Sequence, residues 1–422
     1  MAKCTFRKVF FCIFAPDKGI IMEYKDIEQL VNYYHRKVNS VSLKFKRYLY
    51  EKINWDARLI GIKGARGVGK TTMLLQRIQE NFANINDAFY VSLDDLWFEN
   101  HNIEELVEFL YTHGVKTLFL DEVHKYRNWP KLLKNLYDNY PELGIVYTGS
   151  AMLAIDNSKT DLSRRQTLYT LHGMSLREYL QYEDVCDFQS LTLNEILENH
   201  VSVAMRITKD LKILKHFDEY LAKGYYPFYK EAGPDYHTRL REVVKVVVEG
   251  DVPAVENVSF ETIDKLKKLL MTIAPNVPLE PNIKRLAEVM ETTRDHCLKM
   301  LSILERAGML YLLQEKPKDY KHLVNPQKIY LDNANLMYAL SQDVSVGNMR
   351  ETFFANQLRM AGTLTMPKTG DFLVDGKYLF EVGGRKKSYE QIKDIPDSFL
   401  AVDDIETGYG ARIPLWLFGF LY

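Results

Sequence analysis

A chain of 422 residues is longer than one hydrophobic core ordinarily organises, so two or three domains are expected. An apolar fraction of 46% supports packed globular domains. A net charge of −1 removes any global basic footprint, so contact with nucleic acid would have to come from a local patch. The four cysteines, Cys4, Cys12, Cys186 and Cys297, are scattered without a C-x-x-C pair. That usage points to a reducing, cytoplasmic setting and away from structural zinc.

At the start, Lys3, Arg7 and Lys8 precede a short apolar run over 9–15, a faint likeness to a signal peptide that Asp17-Lys18 interrupts. Residues 1–21 therefore read as an upstream extension, and Met22 opens an ordinary amphipathic segment. No apolar stretch approaches the roughly 20 residues a membrane helix needs, so no membrane partner is expected. Over 22–54 apolar residues recur at helical spacing, as in Ile27, Leu30, Val31 and Tyr34, and lead into an apolar strand at 58–63.

The run that follows that strand, Gly64-Ala65-Arg66-Gly67-Val68-Gly69-Lys70-Thr71-Thr72, fits G-x-x-x-x-G-K-[ST] and opens a helical segment. Strand, glycine loop and helix form the setting in which this pattern has a mechanism. Glycines let main-chain N–H groups wrap a triphosphate, and the helix start adds unpaired N–H groups and its positive dipole end. Lys70 would reach the terminal phosphates, and the Thr71 hydroxyl would hold magnesium. ATP and Mg2+ are the ligands this run implies.

A second strand is expected at 88–93 and a helix over 104–114. The apolar run Thr117-Leu118-Phe119-Leu120 then ends in Asp121-Glu122. Continuous apolar runs suit buried parallel strands, and ligands collect at their carboxyl ends. Asp121 is thus placed to bind magnesium, and Glu122 to polarise the attacking water. A further strand, 144–147, ends in Thr148-Gly149-Ser150. Thr148 either orients the water or contacts the γ-phosphate, or the segment is a simple turn. Arg164 and Arg165 precede a strand over 166–171; one of them could serve as an arginine finger acting on a neighbouring subunit or on its own nucleotide, although loop arginines are usually solvated. Ser175-Leu176-Arg177-Glu178 is a capping box that starts a helix and closes this core near residue 180.

The order of these motifs, with Val123-His124-Lys125, Asn128-Trp129 and Gly173-Met174-Ser175-Leu176-Arg177-Glu178-Tyr179, resembles the prokaryotic AAA-type P-loop ATPases that carry a C-terminal domain of unknown function. The resemblance implies an α/β core, a parallel sheet flanked by helices over 22–180. It also implies ATP hydrolysis, a Walker A site at Lys70 and Thr71, a Walker B pair at Asp121 and Glu122, and a sensor at Thr148. It further implies a helical and winged-helix part and a small restriction-endonuclease-like α+β part.

Residues 181–255 read as a helical linker with core residues at Phe217, Tyr220 and Leu221. Within 256–340, helices at 263–273, 283–290 and from an N-cap at Thr293 precede two strand-like runs that bracket a basic stretch, a winged-helix outline. Arg294, Lys299, Lys316 and Lys318 are the candidate contacts to duplex DNA; a protein partner or a homo-oligomer is the alternative. In 341–422, Glu351, Asp371 and Glu381 resemble the acidic set of PD-(D/E)xK nucleases. Gly383 stands where that pattern has lysine, so the expected state is a nuclease-like fold that has lost cleavage, with Lys386 and Lys387 as possible substitutes. The apolar end, 413–422, is expected to be a buried strand.

Overall fold

The computed structural model describes residues 22–82, 84–151, 162–315 and 325–422. The extension at 1–21, with Cys4 and Cys12, and the candidate DNA contacts Lys316 and Lys318 lie outside the described residues.

Five strands form the first sheet: β1 (Leu59–Lys63), β2 (Ala88–Ser92), β3 (Thr117–Asp121), β4 (Gly144–Gly149) and β5 (Thr167–Thr170). Their order is β2-β3-β4-β1-β5 and every pairing is parallel. The interiors of β1, β3 and β4 are buried, which is why their sequences are apolar without alternation. The helix Tyr24–Ser40 turns Ile27, Leu30, Tyr34 and Val38 inward against β2 and the helix Lys70–Asn81. This five-stranded parallel sheet flanked by helices matches the P-loop NTPase fold.

After the helix Leu176–Tyr182 the chain is helical to residue 306. The helices Ile213–Glu219 and Tyr236–Val246 each run into a π-helical turn, Tyr220–Gly224 and Val247–Asp251. Phe217, Tyr220 and Leu221 are buried, as are Tyr225 and Tyr226, so these aromatics build core. Three helices, Phe260–Ile273, Ile283–Val289 and Arg294–Arg306, then lead into the antiparallel pair β6 (Leu310–Leu313) and β7 (Lys328–Leu331). Thr293 caps the third by accepting the His296 N–H, and Gly308 at φ 73° follows its end.

The final part sets the helix Val346–Leu358 against a mixed sheet of β8 (Leu364–Thr365), β9 (Phe372–Val374), β10 (Tyr378–Gly383), β11 (Ser398–Val402) and β12 (Arg412–Pro414). Strands β8 to β10 are antiparallel and β10 to β12 parallel. The expected terminal strand is corrected: only Ile413 and Pro414 of that run lie in β12, and Leu415–Phe420 is a buried 3₁₀ helix. A fully apolar run buries equally well in either form, and Pro414 has no N–H with which to continue a ladder.

Hydrogen bonds cross the expected boundaries at 180, 255 and 340. Ser175 Oγ and Arg177 Nε reach the main-chain oxygen of Tyr422 at 2.7 and 2.9 Å. Asn335 Oδ1 accepts the Tyr225 N–H, and Asn335 Nδ2 donates to the Leu221 carbonyl, at 2.9 and 2.8 Å. One apolar core runs from Ile27 to Phe420. Among the described residues no helix is long and apolar enough to cross a membrane.

Candidate active site

The glycine loop leaves β1 and enters the helix Lys70–Asn81 through Gly67 and Gly69, at φ 85° and 97°, a conformation that residues with a Cβ rarely adopt. The helix starts without a side-chain cap, so its first N–H groups point back over the loop. Lys70 is buried at 5% exposure, and its ammonium donates to the carbonyls of Gly64 and Ala65 at 2.9 and 3.1 Å.

Parallel alignment brings the other expected residues to the same edge. Asp121, the last residue of β3, takes hydroxyl donors on both carboxylate oxygens. Thr71 Oγ1 and Tyr90 Oη lie 2.7 and 2.9 Å from Oδ2, and Thr148 Oγ1 from the neighbouring strand β4 donates to Oδ1. Burial, then the nearby Asp121 charge, pushes the Tyr90 hydroxyl far above its ordinary range, so it stays a donor. Glu122 follows in a left-handed conformation at φ 55°, and its N–H is held by Thr148 Oγ1 at 3.1 Å. Lys70, Thr71, Asp121, Glu122 and Thr148 are thus brought together. The hard oxygen donors Thr71 and Asp121 suit magnesium.

The arginines fall elsewhere. Arg164 and Arg165 precede β5, and because β5 runs parallel to β1 they lie at the amino end of the sheet, opposite the glycine loop. Arg165 holds Asp138 with Nε–Oδ1 at 2.9 Å and Nη2–Oδ2 at 3.2 Å. Within the chain a strand length separates the two arginines from Lys70 and Asp121.

Several contributors were not visible in the sequence. Arg47, 4% exposed, pairs with Glu178 at 3.0 Å and donates to the Val68 carbonyl, so the capping-box glutamate also braces the loop. Tyr90 is another. A third is Asp251, whose Oδ1 receives Lys125 Nζ at 2.8 Å and His124 Nε2 at 3.4 Å and lies 3.8 Å from Arg66. Burial alone would raise its carboxyl, but the hydrogen bonds from His124 and Lys125 outweigh that and hold it down to about 2. The helical part also touches the loop directly: a Cβ on Gly67 would fall 2.8 Å from the Phe228 ring, and Gly308 faces Ala65. Beside Gly69 and Thr72 lies a cavity of about 280 Å³ walled by Phe45, Tyr182 and Pro227.

Glu351, Asp371 and Glu381 form a second acidic cluster. Glu351 accepts Lys328 Nζ at 2.7 Å and Tyr330 Oη at 3.2 Å. Lys387 supplies the partner of Glu381 at 2.5 Å, and its side chain lies where a Cβ on Gly383 would sit. Of the two lysines that follow Gly383, Lys387 is the one that packs over it. Burial, then the Glu351 charge, raises Asp371 to about 6. Among the described residues no group of three or more His, Cys, Asp or Glu is arranged to hold a metal ion. Arg294 and Lys299 are exposed on the helix Arg294–Arg306; Arg294 also donates to Asn325 at 2.8 Å.

Comparison with known proteins gives two family matches. Residues 56–180 match an AAA domain, and residues 214–345 match a domain of unknown function, DUF8612. Two Methanocaldococcus jannaschii relatives are described as uncharacterized. Protein MJ1637 is 27% identical over 413 residues, covering 86% of this chain and 87% of the relative. Protein MJ1544 is 23% identical over 342 residues, covering 78% and 70%. The structure of AMPPCP-bound DnaA from Aquifex aeolicus aligns at 14% identity and a TM-score of 0.26, covering 68% of this chain and 93% of that one. The glycine loop on its parallel sheet and the matched AAA domain together support a P-loop ATPase core of AAA type within residues 56–180.

Proposed function

We propose that the chain binds Mg-ATP at residues 64–72 and hydrolyses it, and that the helical and C-terminal parts respond to the nucleotide. The observation that carries this reading is the meeting of Lys70, Thr71, Asp121, Glu122 and Thr148 at one edge of the parallel sheet. Loop N–H groups and Lys70 bind the phosphates, and the cavity between Phe45, Tyr182 and Pro227 takes the base. Thr71 and Asp121 would hold magnesium, which supplies charge neutralisation at the terminal phosphates. Glu122 orients a water and accepts its proton, while Thr148 fixes the Glu122 main chain.

The carboxyl end of the chain supports a binding role better than a cutting one. Three helices are followed by the β6–β7 hairpin, with an antiparallel bridge from Leu279 to Ile329; read as a winged helix, this unit would offer the exposed Arg294 and Lys299 to duplex DNA. In the acidic cluster, Glu351 and Glu381 are each already neutralised by a lysine, which favours a nuclease-like fold without cleavage.

The test is Glu122→Gln. It retains binding of a fluorescent ATP analogue and lowers the hydrolysis rate by about 10²-fold or more. Unchanged turnover removes Glu122 from the role of base.

A further inference from the structure

The turn after Asp121-Glu122 carries two groups that lead away from the phosphates. His124 is 2% exposed, and both His124 and Lys125 run to Oδ1 of Asp251. Asp251 is itself 2% exposed and closes the π-helical turn Val247–Asp251, within the segment that matches the domain of unknown function. Arg66 of the glycine loop stands 3.8 Å from the same oxygen. One buried carboxylate thus meets both the phosphate loop and the turn that carries Glu122.

The two ends of the His124 ring are defined by their neighbours. The Ser150 main-chain N–H, just past β4, points to Nδ1 at 3.3 Å; for that nitrogen to accept, the ring hydrogen must sit on Nε2, the atom that faces Asp251 Oδ1. Glu122 Oε2 lies 3.4 Å from the same Nδ1. With Nδ1 bare, the ring offers Glu122 no hydrogen, and the carboxylate keeps its lone pairs for water. With the hydrogen on Nδ1, the ring would donate to Glu122 and occupy the pair that a base needs.

We propose that Asp251 is a positioning residue for hydrolysis: by accepting the Nε2 hydrogen of His124 it keeps Nδ1 bare and so leaves Glu122 free to take a proton from the attacking water. The inference rests on the ATPase reading above. It also makes this contact the place where the helical part acts on turnover, because a shift of the π-helical turn withdraws the acceptor from His124.

Asp251→Ala tests it, because it removes the acceptor of the Nε2 hydrogen, whereas an amide oxygen at the Oδ1 position would still accept from both His124 and Lys125. In the full chain the variant lowers kcat by about 10- to 100-fold, as loss of an outer partner of a working group typically does. Affinity for a fluorescent, non-hydrolysable ATP analogue stays within about threefold, well under one tenfold step of binding energy. Asp251→Glu, which keeps a carboxylate acceptor, recovers part of kcat. Independently of any variant, ¹⁵N-histidine NMR of the wild type finds His124 hydrogenated at Nε2. A wild type that neither binds nor hydrolyses ATP overturns the ATPase reading and this proposal with it. A hydrolysing wild type with equal kcat in Asp251→Ala, or with the His124 hydrogen on Nδ1, overturns the proposal alone.

Discussion

Two buried carboxylates on strands, Asp121 of β3 and Glu381 of β10, each sit beside other acids, and their surroundings are finished in opposite ways. At β3, Asp121 is met by the hydroxyls of Thr71, Tyr90 and Thr148. At β10, Glu381 is met by Lys387, and its neighbour Glu351 by Lys328. A hydroxyl donor orients a carboxylate and leaves its charge in place, so a local negative potential remains for a cation. A lysine cancels that charge, and with it most of the attraction for a metal. The difference teaches that acid content alone does not make a metal or phosphate site; the donor chemistry around the acid decides.

The comparison breaks most visibly at the glycine loop. Lys70→Ala is expected to lower affinity for a fluorescent ATP analogue by on the order of 10²-fold, since it removes a buried charged donor aimed at phosphate. The outcome to look for in a titration is a near-complete loss of saturable binding while the melting temperature stays within a few degrees. Undiminished binding would place the nucleotide somewhere other than beside Asp121.

What could be read in advance follows the same division. The first site was legible because its parts are local: an apolar strand, the loop Gly64 to Thr72, and two more apolar runs that end in Asp121-Glu122 and Thr148. A parallel sheet brings strand ends together, so order along the chain translated into proximity. The position of Arg164 and Arg165 at the far end of that sheet was also implied by strand direction, because they precede β5 where the glycine loop follows β1. Asp251 was not legible, since its partners His124 and Lys125 are more than a hundred residues distant and nothing in its own segment marks it. The terminal run was read as strand because apolar periodicity does not separate a buried strand from a 3₁₀ turn. Lys386 and Lys387 could be named only as a pair, and it is Lys387 whose side chain packs over Gly383.

A smaller effect sharpens the other half of the comparison. Asp371 shares the second cluster, and burial followed by the Glu351 charge raises its carboxyl from 3.8 to about 6. The folded state therefore holds a proton that the unfolded state releases between about pH 4 and pH 6, and stability falls as pH rises through that window. Above it the full penalty stands, at most roughly 3 kcal/mol for a shift of this size. Asp371→Asn is isosteric and keeps an acceptor for the Val382 N–H, which Asp371 Oδ2 takes at 2.8 Å. Urea unfolding should find the variant more stable than wild type at pH 8 and equal to it near pH 4. A difference that does not vary with pH would mean that the second cluster is not under charge strain.

The weakest expected effect concerns what neutralisation of the second cluster permits. Lys328 belongs to β7 of the hairpin and pairs with Glu351, so the acidic cluster lies directly beside the unit proposed to approach duplex DNA. Unpaired, those acids would repel a phosphate backbone; paired, they let Arg294 and Lys299 act without opposition. Each phosphate contact adds close to 0.9 to the slope of log affinity against log salt. Replacing both residues by alanine should therefore lower the magnitude of the slope for duplex DNA by about 2, and by the same amount on unrelated sequences, because phosphate contacts carry no sequence information. A slope that is already flat in the wild type would assign this helix to a protein partner, and the lysines of the second cluster would then stabilise the fold without opening a path for nucleic acid.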